Sequence, residues 1–344
     1  MQQLLENIRL TPELVYFMEA LKVEGYWSTE YSNWNIQNKN LCFIRHIEDI
    51  LKTYFGEIRL KKKILLKIEP SNQNFSKEDV NLRLNDIELP FHIANSEFSK
   101  TNKIIAFLPH EKQQSAVLRI KGRVFPISIR ESEEEFVVTA PFRGWAYCDL
   151  KLYDKDMQKV VISLLKKKEL MVEPFLFDAD KQLVAAAFSA LVDAEGNLSY
   201  YGLTRKLLIR MRKPTYLEGW KTLLKTFGIH AHFSKITEKD YQLCISGWDD
   251  FNKLKELGVA FYHSKKARKW KEIFDSYKRH QISRNMAIQF YVQELKKLNT
   301  PMTARDFAKS LKKSKRTLGH YLTILMRKDF IRVDKTKPTY LYSA

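Results

Sequence analysis

Cysteine is scarce in this chain. Cys42, Cys148 and Cys244 are the only three in 344 residues, and no two form a Cys-x-x-Cys pair. That excludes a disulfide framework and a cysteine-based structural zinc site, and fits a reducing compartment. His230 and His232 point the same way on a strand but have no further ligands around them in sequence, so they read as surface residues. Long hydrophobic runs are also missing. The longest apolar stretch, around Leu183 to Val192, is interrupted by Ser189 and is too short to span a bilayer. The opening MQQLLENIRL lacks the apolar centre of a secretory leader, and no segment has low complexity. A cytoplasmic protein without a membrane anchor is expected.

Positive charge is abundant. Lys and Arg number 59 against 40 Asp and Glu, a formal net charge of +19. Such an excess repels itself unless an anionic partner absorbs it, and nucleic acid ranks ahead of an anionic membrane surface. Hydrophobic residues make up 44% of the chain, enough to exclude general disorder and to fill cores in two or three domains.

An internal repeat is legible. FSALVDAEG, Phe188 to Gly196, is an apolar helix-like run closing on Glu-Gly; FMEALKVEG, Phe17 to Gly25, closes the same way. Glu24 and Glu195 are 171 positions apart (195 − 24), and the glycines of LKTYFG and LKTFG, Gly56 and Gly228, are 172 apart (228 − 56). Two landmarks at nearly one offset imply a duplicated unit. The second motif segment carries small residues (Ala185, Ala186, Ala187, Ser189, Ala190, Ala194) that let another helix backbone approach.

Each unit carries a cationic strand. In Arg205 to Lys213, Leu207, Ile209 and Met211 alternate with Arg210 and Arg212. In Glu57 to Glu69, Ile58, Leu60, Ile64, Leu66 and Ile68 alternate with Arg59, Lys61, Lys63 and Lys67. This period of two predicts half-buried strands that turn a row of cations outward. Helices are predicted over Asn40 to Phe55 and Tyr216 to Phe227, with strands near Ala231 to Phe233 and Tyr241 to Ser246 and a helix from Trp248. Residues 71–173 contain short strand-like runs, read as a β-rich insert or an elaboration of the first repeat.

From Pro301, Thr303 predicts a capped short helix and Ser314 a second, with Leu318, Tyr321, Leu322 and Leu325 on its apolar stripe. Its other face carries Lys315, Arg316, His320, Thr323 and Arg327. Two short strands follow, and Asn285 to Leu298 supplies a third helix. The pattern resembles a winged helix-turn-helix.

The motif, the repeat and the run YQLCISGWDDFNKLKELG together resemble the LAGLIDADG homing endonuclease family. The resemblance implies an α+β fold: two pseudo-symmetric αββαββα repeats over 1–70 and 174–282, the 71–173 segment between them, and a winged-helix domain over 283–344. It implies a monomer with an internal pseudo-twofold axis and double-stranded DNA as partner. Glu24 and Glu195 then become the catalytic and Mg²⁺-binding carboxylates of a site-specific, metal-dependent DNA endonuclease. Arg59, Lys61, Lys63, Lys67, Arg205, Arg210 and Arg212, with the basic face of the C-terminal helix, become DNA contacts. The first motif departs from the family pattern: Met18 and Glu19 stand where small residues are expected, and Lys22 replaces the first acid. WhiA-type regulators, which resemble the same combination without nuclease activity, are the alternative, and an RNA-processing factor is a third.

Overall fold

The structure is a computed structural model describing residues 10–28, 33–56, 60–70, 75–95, 102–152, 171–201, 204–276, 284–298, 300–311, 313, 315–334, 336 and 340–343. The chain forms two compact units, Met1–Ser276 and Tyr277–Ala344.

The first unit opens with α1, Pro12–Glu24. Thr11 caps it by accepting from the Leu14 amide at 3.3 Å, and Pro12 pre-sets its first turn. Leu14 to Lys22 are all buried, so the helix is enclosed on every side. β1 (Gly25–Ser28) and β2 (Asn33–Asn38) form an antiparallel hairpin. α2 (Leu41–Phe55) starts where Asn40 accepts from the Phe43 amide at 3.0 Å, and ends at Gly56 with φ +70°, a conformation other residues rarely adopt. β3 (Leu60–Glu69) follows.

Then come β4 (Val80–Leu84), β5 (Ile87–Glu88), β6 (Phe91–Asn95), β7 (Asn102–Pro109), β8 (Gln113–Ile120), β9 (Arg123–Glu131), β10 (Phe136–Thr139) and β11 (Arg143–Leu152). The first sheet has the order β1-β2-β11-β3-β7-β6, and a second, β10-β9-β8-β4-β5, shares its core.

After a 3₁₀ turn at Pro174–Phe177 come α3 (Lys181–Glu195), β12 (Gly196–Tyr201), β13 (Thr204–Met211), α4 (Pro214–Thr226), β14 (His232–Lys235), β15 (Tyr241–Ser246), α5 (Trp248–Leu257) and α6 (Ser264–Ser276). Their sheet has the order β12-β13-β15-β14.

Its order, first-second-fourth-third, recurs in the first sheet as β1-β2-β11-β3. β11 therefore occupies the place of a fourth repeat strand, although it comes from the 71–173 range. The boundary drawn at residue 70 falls between two strands of one sheet, because the elaboration is spliced into the β3–β11 connection. Residues 153–170, which follow β11, lie outside the described residues.

The second unit contains α7 (Arg284–Leu298), β16 (Met302–Thr303), α8 (Ala304–Ser310), α9 (Lys315–Arg327), β17 (Arg332–Asp334) and β18 (Leu341–Ser343), with sheet order β16-β18-β17. Tyr291, Phe307, Leu318, Leu322 and Leu325 are in its core. Thr303 caps α8, accepting from the Asp306 amide at 3.1 Å. Among the described residues, no helix is long and apolar enough to cross a membrane.

Candidate nucleic-acid interface and carboxylate pair

The helix ends that carry Glu24 and Glu195 are built alike. At each, the glycine amide donates to the carbonyl four residues back, Leu21 or Val192, and the chain turns directly into a strand. Gly25 has φ −78° and ψ 142°, Gly196 φ −75° and ψ 150°. A Cβ at Gly25 would lie 2.2 Å from the Leu21 carbonyl oxygen, and one at Gly196 would lie 2.6 Å from that of Val192. The glycine is needed for this close approach of backbone to backbone, since neither φ is positive.

α1 and α3 pack against each other more extensively than any other helix pair among the described residues. Met18 and Glu19 do not prevent this. Glu19 turns away to α4, where the Tyr216 hydroxyl donates to it. Met18 lies beside Phe175 and Leu176 of the 3₁₀ turn.

Glu24 then falls under the influence of Glu195. Burial first, and repulsion from Glu195 second, push the Glu24 carboxyl up to about 7. A hydrogen bond from Asn38 Nδ2 at 3.0 Å and the nearby Lys266 ammonium pull the other way. Burial also raises Glu195, with Lys266 opposing. Lys266, on α6, escaped the motif reading, because it lies 71 positions beyond Glu195 (266 − 195). Its ammonium donates to the carbonyls of Val192 at 2.8 Å and Asp193 at 2.6 Å, at the C-terminal end of α3 where the helix dipole favours a cation. Burial lowers Lys266 to about 8 against the opposing pull of Asp193, Glu24 and Glu195.

Asp193 is fully buried and structural. It accepts from the Tyr16 hydroxyl at 2.7 Å and from the backbone amides of Tyr262 at 2.8 Å and His263 at 3.3 Å. Among the described residues, no group of three or more His, Cys, Asp or Glu could hold a metal. The Glu24–Glu195 pair alone suits a hard divalent cation, which takes one or two carboxylates and completes its shell with water and phosphate. Glu24, raised by burial and by a second acid, is under-compensated, which is the condition such an ion relieves.

The first sheet turns Lys61, Lys63 and Lys67 of β3 outward, as the alternation expects, and the same period of two puts Lys62 on the inner face with Leu60 and Ile64. Lys62 faces inward and pairs with Glu48 of α2, while Leu65 lies in register with Tyr147 and Phe107. Lys61, Lys63 and Lys67 share the outer face with Lys151 of β11 and Lys103 of β7. Aromatic rings lie between them: Lys67 sits 4.5 Å from the Tyr147 ring centre, and Lys151 lies 5.5 Å from that of Phe107. At the centre of this face Asp149 is fully buried and accepts from Asn35 at 2.5 Å and Gln37 at 3.0 Å. Arg59 lies outside the described residues.

The second sheet matches in one detail. Arg210 donates to Gln242 across the strand pair at 3.0 Å, the position where Gln37 meets Asp149 in the first. Arg210 and Arg212 are exposed, and Arg212 lies 3.7 Å from Asp240. Both line an open groove with Glu195. Arg205 is not brought to this face. It is 8% exposed, points to the helix side and holds the end of α6 through Ser276, at 2.8 Å to the hydroxyl and 3.1 Å to the carbonyl. Arg205 shares the parity of the buried Leu207 and Ile209, so the period of two puts it on the inner face, and the DNA contact expected of it is not on the exposed row.

On α9, His320, Thr323 and Arg327 are exposed opposite the buried Leu318, Leu322 and Leu325. Thr323 donates to the Gly319 carbonyl of its own helix at 2.9 Å. The Lys315 and Arg316 side chains and residue Ser314 lie outside the described residues.

No family model and no curated protein matches the sequence. Among solved structures, the chain is similar to full-length DUF199/WhiA from Thermatoga maritima, with 12% identity, a TM-score of 0.39 and 94% of each chain covered. It is also similar to the LAGLIDADG homing endonuclease I-GzeII in complex with its DNA target, at 10% identity and a TM-score of 0.38, over 79% of this chain and 94% of that one. Meganuclease I-SmaMI bound to uncleaveable DNA matches at 12% identity and a TM-score of 0.31, over 78% of this chain and 90% of that one. The structural neighbours are thus a DUF199/WhiA protein and LAGLIDADG endonucleases, the two kinds of protein that the sequence motifs resemble.

Proposed function

We propose that this chain binds double-stranded DNA through the outer faces of its two repeat sheets, and that Glu24 and Glu195 form a Mg²⁺ site for phosphodiester hydrolysis. The lysine row of the first sheet carries the binding reading. The ammonium groups of Lys67 and Lys151 lie over aromatic rings of this face, and cations interleaved with rings suit a phosphate backbone. The exposed side of α9 adds a second basic surface.

Mg²⁺, when bound, would supply Lewis-acid stabilisation of charge on a phosphate oxygen. The chain's own residues do the rest. Glu24 and Glu195 hold the ion, Asn38 orients the Glu24 carboxylate, and Lys266 keeps positive charge beside the pair. One observation favours the alternative of a non-cleaving regulator: the Lys266 ammonium already offsets part of the charge that would attract a metal.

The test uses a site selected from randomised duplex DNA. Wild type is expected to nick it with Mg²⁺ or Mn²⁺ and to bind without turnover in Ca²⁺. Glu195→Gln should retain affinity and lose cleavage of at least one strand. Replacing Arg210 and Arg212 together by Gln should reduce the salt slope of binding by about 2, near 0.9 per lost phosphate contact. A tightly bound site that is never nicked leaves the regulator. An unchanged salt slope in the double variant removes the second sheet from the interface.

A further inference from the structure

At the opposite end of the α1–α3 pair from the carboxylates lies a cavity of about 260 Å³. Its wall is three rings. His46 of α2 stacks on Tyr262 with centres 3.3 Å apart, and Tyr16 meets both edge-on at 4.9 and 5.2 Å. The facing wall, from α3, is made of small side chains, Ala186 and Ser189 among them.

The repeat supplies its own control. On the other flank of the helix pair, the residues that correspond to Ala186 and Ser189 are Val15 and Met18 (186 − 171 and 189 − 171), and Phe175 and Leu176 of the 3₁₀ turn press against them. Only about 10 Å³ remains there. One cleft is filled by an aromatic and an aliphatic side chain of the chain itself; its pseudo-symmetric counterpart is open and lined by rings. The space is on the scale of one aromatic group.

Charge selects among aromatic occupants. In a chain with net charge +19, no Lys or Arg lines this cavity, and Glu13 does. The Glu13 carboxylate acts on both His46 and Tyr262, raising the proton affinity of each. His46 nevertheless stays uncharged at neutral pH, because burial lowers it to about 4, so it does not neutralise Glu13. Its Nε2 is buried and has no hydrogen-bond partner among the described residues. Anions, phosphate included, are repelled; a flat ring carrying an ammonium group is favoured by ring contact and by the carboxylate.

We propose that this cavity is a binding site for a small aromatic cation, with the ring against Tyr16, His46 and Tyr262 and the positive group toward Glu13. The assignment does not depend on DNA binding or cleavage. The test titrates 2-phenylethylamine into the full chain and follows the His46 and Tyr262 ring resonances by NMR. Three controls run beside it: 2-phenylethanol, n-butylamine and 3-phenylpropionate. Saturable shifts with the amine, at least tenfold weaker binding of each control, and loss of the amine-over-alcohol preference in Glu13→Gln are expected. Ala186→Leu should abolish binding while the melting curve and the Tyr16–Asp193 hydrogen bond persist. The proposal is overturned if the amine gives no saturable shift, if 3-phenylpropionate binds as well as the amine, or if a folded Ala186→Leu protein binds unchanged.

Discussion

The ends of α1 and α3 are equivalent in backbone and opposite in polarity. At the third residue before the glycine α3 has Asp193 and α1 has Lys22. Asp193 receives two backbone amides of the following connection, Tyr262 and His263. Lys22 does the reverse, donating to the Met171 carbonyl at 2.6 Å and to the Glu173 carboxylate at 2.5 Å. Each helix end thus ties down a segment later in the chain. The substitution that looks like decay in the motif is matched by a change in what the segment offers, carbonyl and carboxylate instead of amides. The comparison teaches that the glycine is fixed by backbone geometry, whereas the residue three positions earlier needs only complementarity.

The glycines give the strongest test. Gly25→Ala and Gly196→Ala each force a Cβ into a backbone carbonyl, and the shorter approach at Gly25 makes it the worse of the two. A loss of about 3–4 kcal/mol is expected for Gly25→Ala, somewhat less for Gly196→Ala, by urea unfolding. Two alanine variants as stable as wild type would break the claim that the ends are geometrically equivalent.

Next in size is Asp193→Ala, which leaves the Tyr16 hydroxyl and two amides without their acceptor in a buried site. About 3 kcal/mol should be lost. Lys22→Met should cost about 1 kcal/mol, because Glu173 is partly exposed and its carboxylate can turn to water. Equal losses would mean that the two ends do not differ as described.

The pH dependence sharpens the carboxylate half of the comparison. Below about pH 4.5 Glu24 is protonated in both the folded and unfolded chain. Between 4.5 and about 7 the unfolded chain releases a proton that the folded chain keeps, so stability falls as pH rises through this window. Glu24→Gln removes the share that Glu24 contributes, while Glu19, raised by burial to about 7, keeps its own. It should be more stable than wild type by about 3 kcal/mol at pH 8 and equal to it at pH 4. Lys266→Met should raise the Glu24 pKa further, read by carboxyl ¹³C shifts. A pH-independent effect of Glu24→Gln would sink the electrostatic account of the pair.

Much of the local structure was legible. Thr303 caps α8 as expected, and Thr11, Asn40 and Gly56, which bound α1 and α2, act over the same range of three or four residues. The cationic rows followed from a period of two, and the same period accounts for Lys62 and Arg205, which share the parity of Leu60 and Ile64 and of Leu207 and Ile209 and turn to helix partners. The place of β11 was not legible. Its outer face mixes Trp145 and Tyr147 with Asp149 and Lys151, so polar contrast with the inner face is confined to its second half, and its partners in β2 lie more than a hundred positions away.

The sequence by itself determined the repeat, the paired glycines, the acids beside them and the two rows of cations, since these depend on local sterics and on side-chain periodicity. Only the tertiary structure decided that Glu24 and Glu195 share one electrostatic environment, that Lys266 stands beside them, that Lys22 has its own complementary partner, and that one flank of the helix pair is filled while the other is open. These outcomes depend on which distant segments pack together, and packing is set by the shape and charge of surfaces that no single stretch of the chain contains.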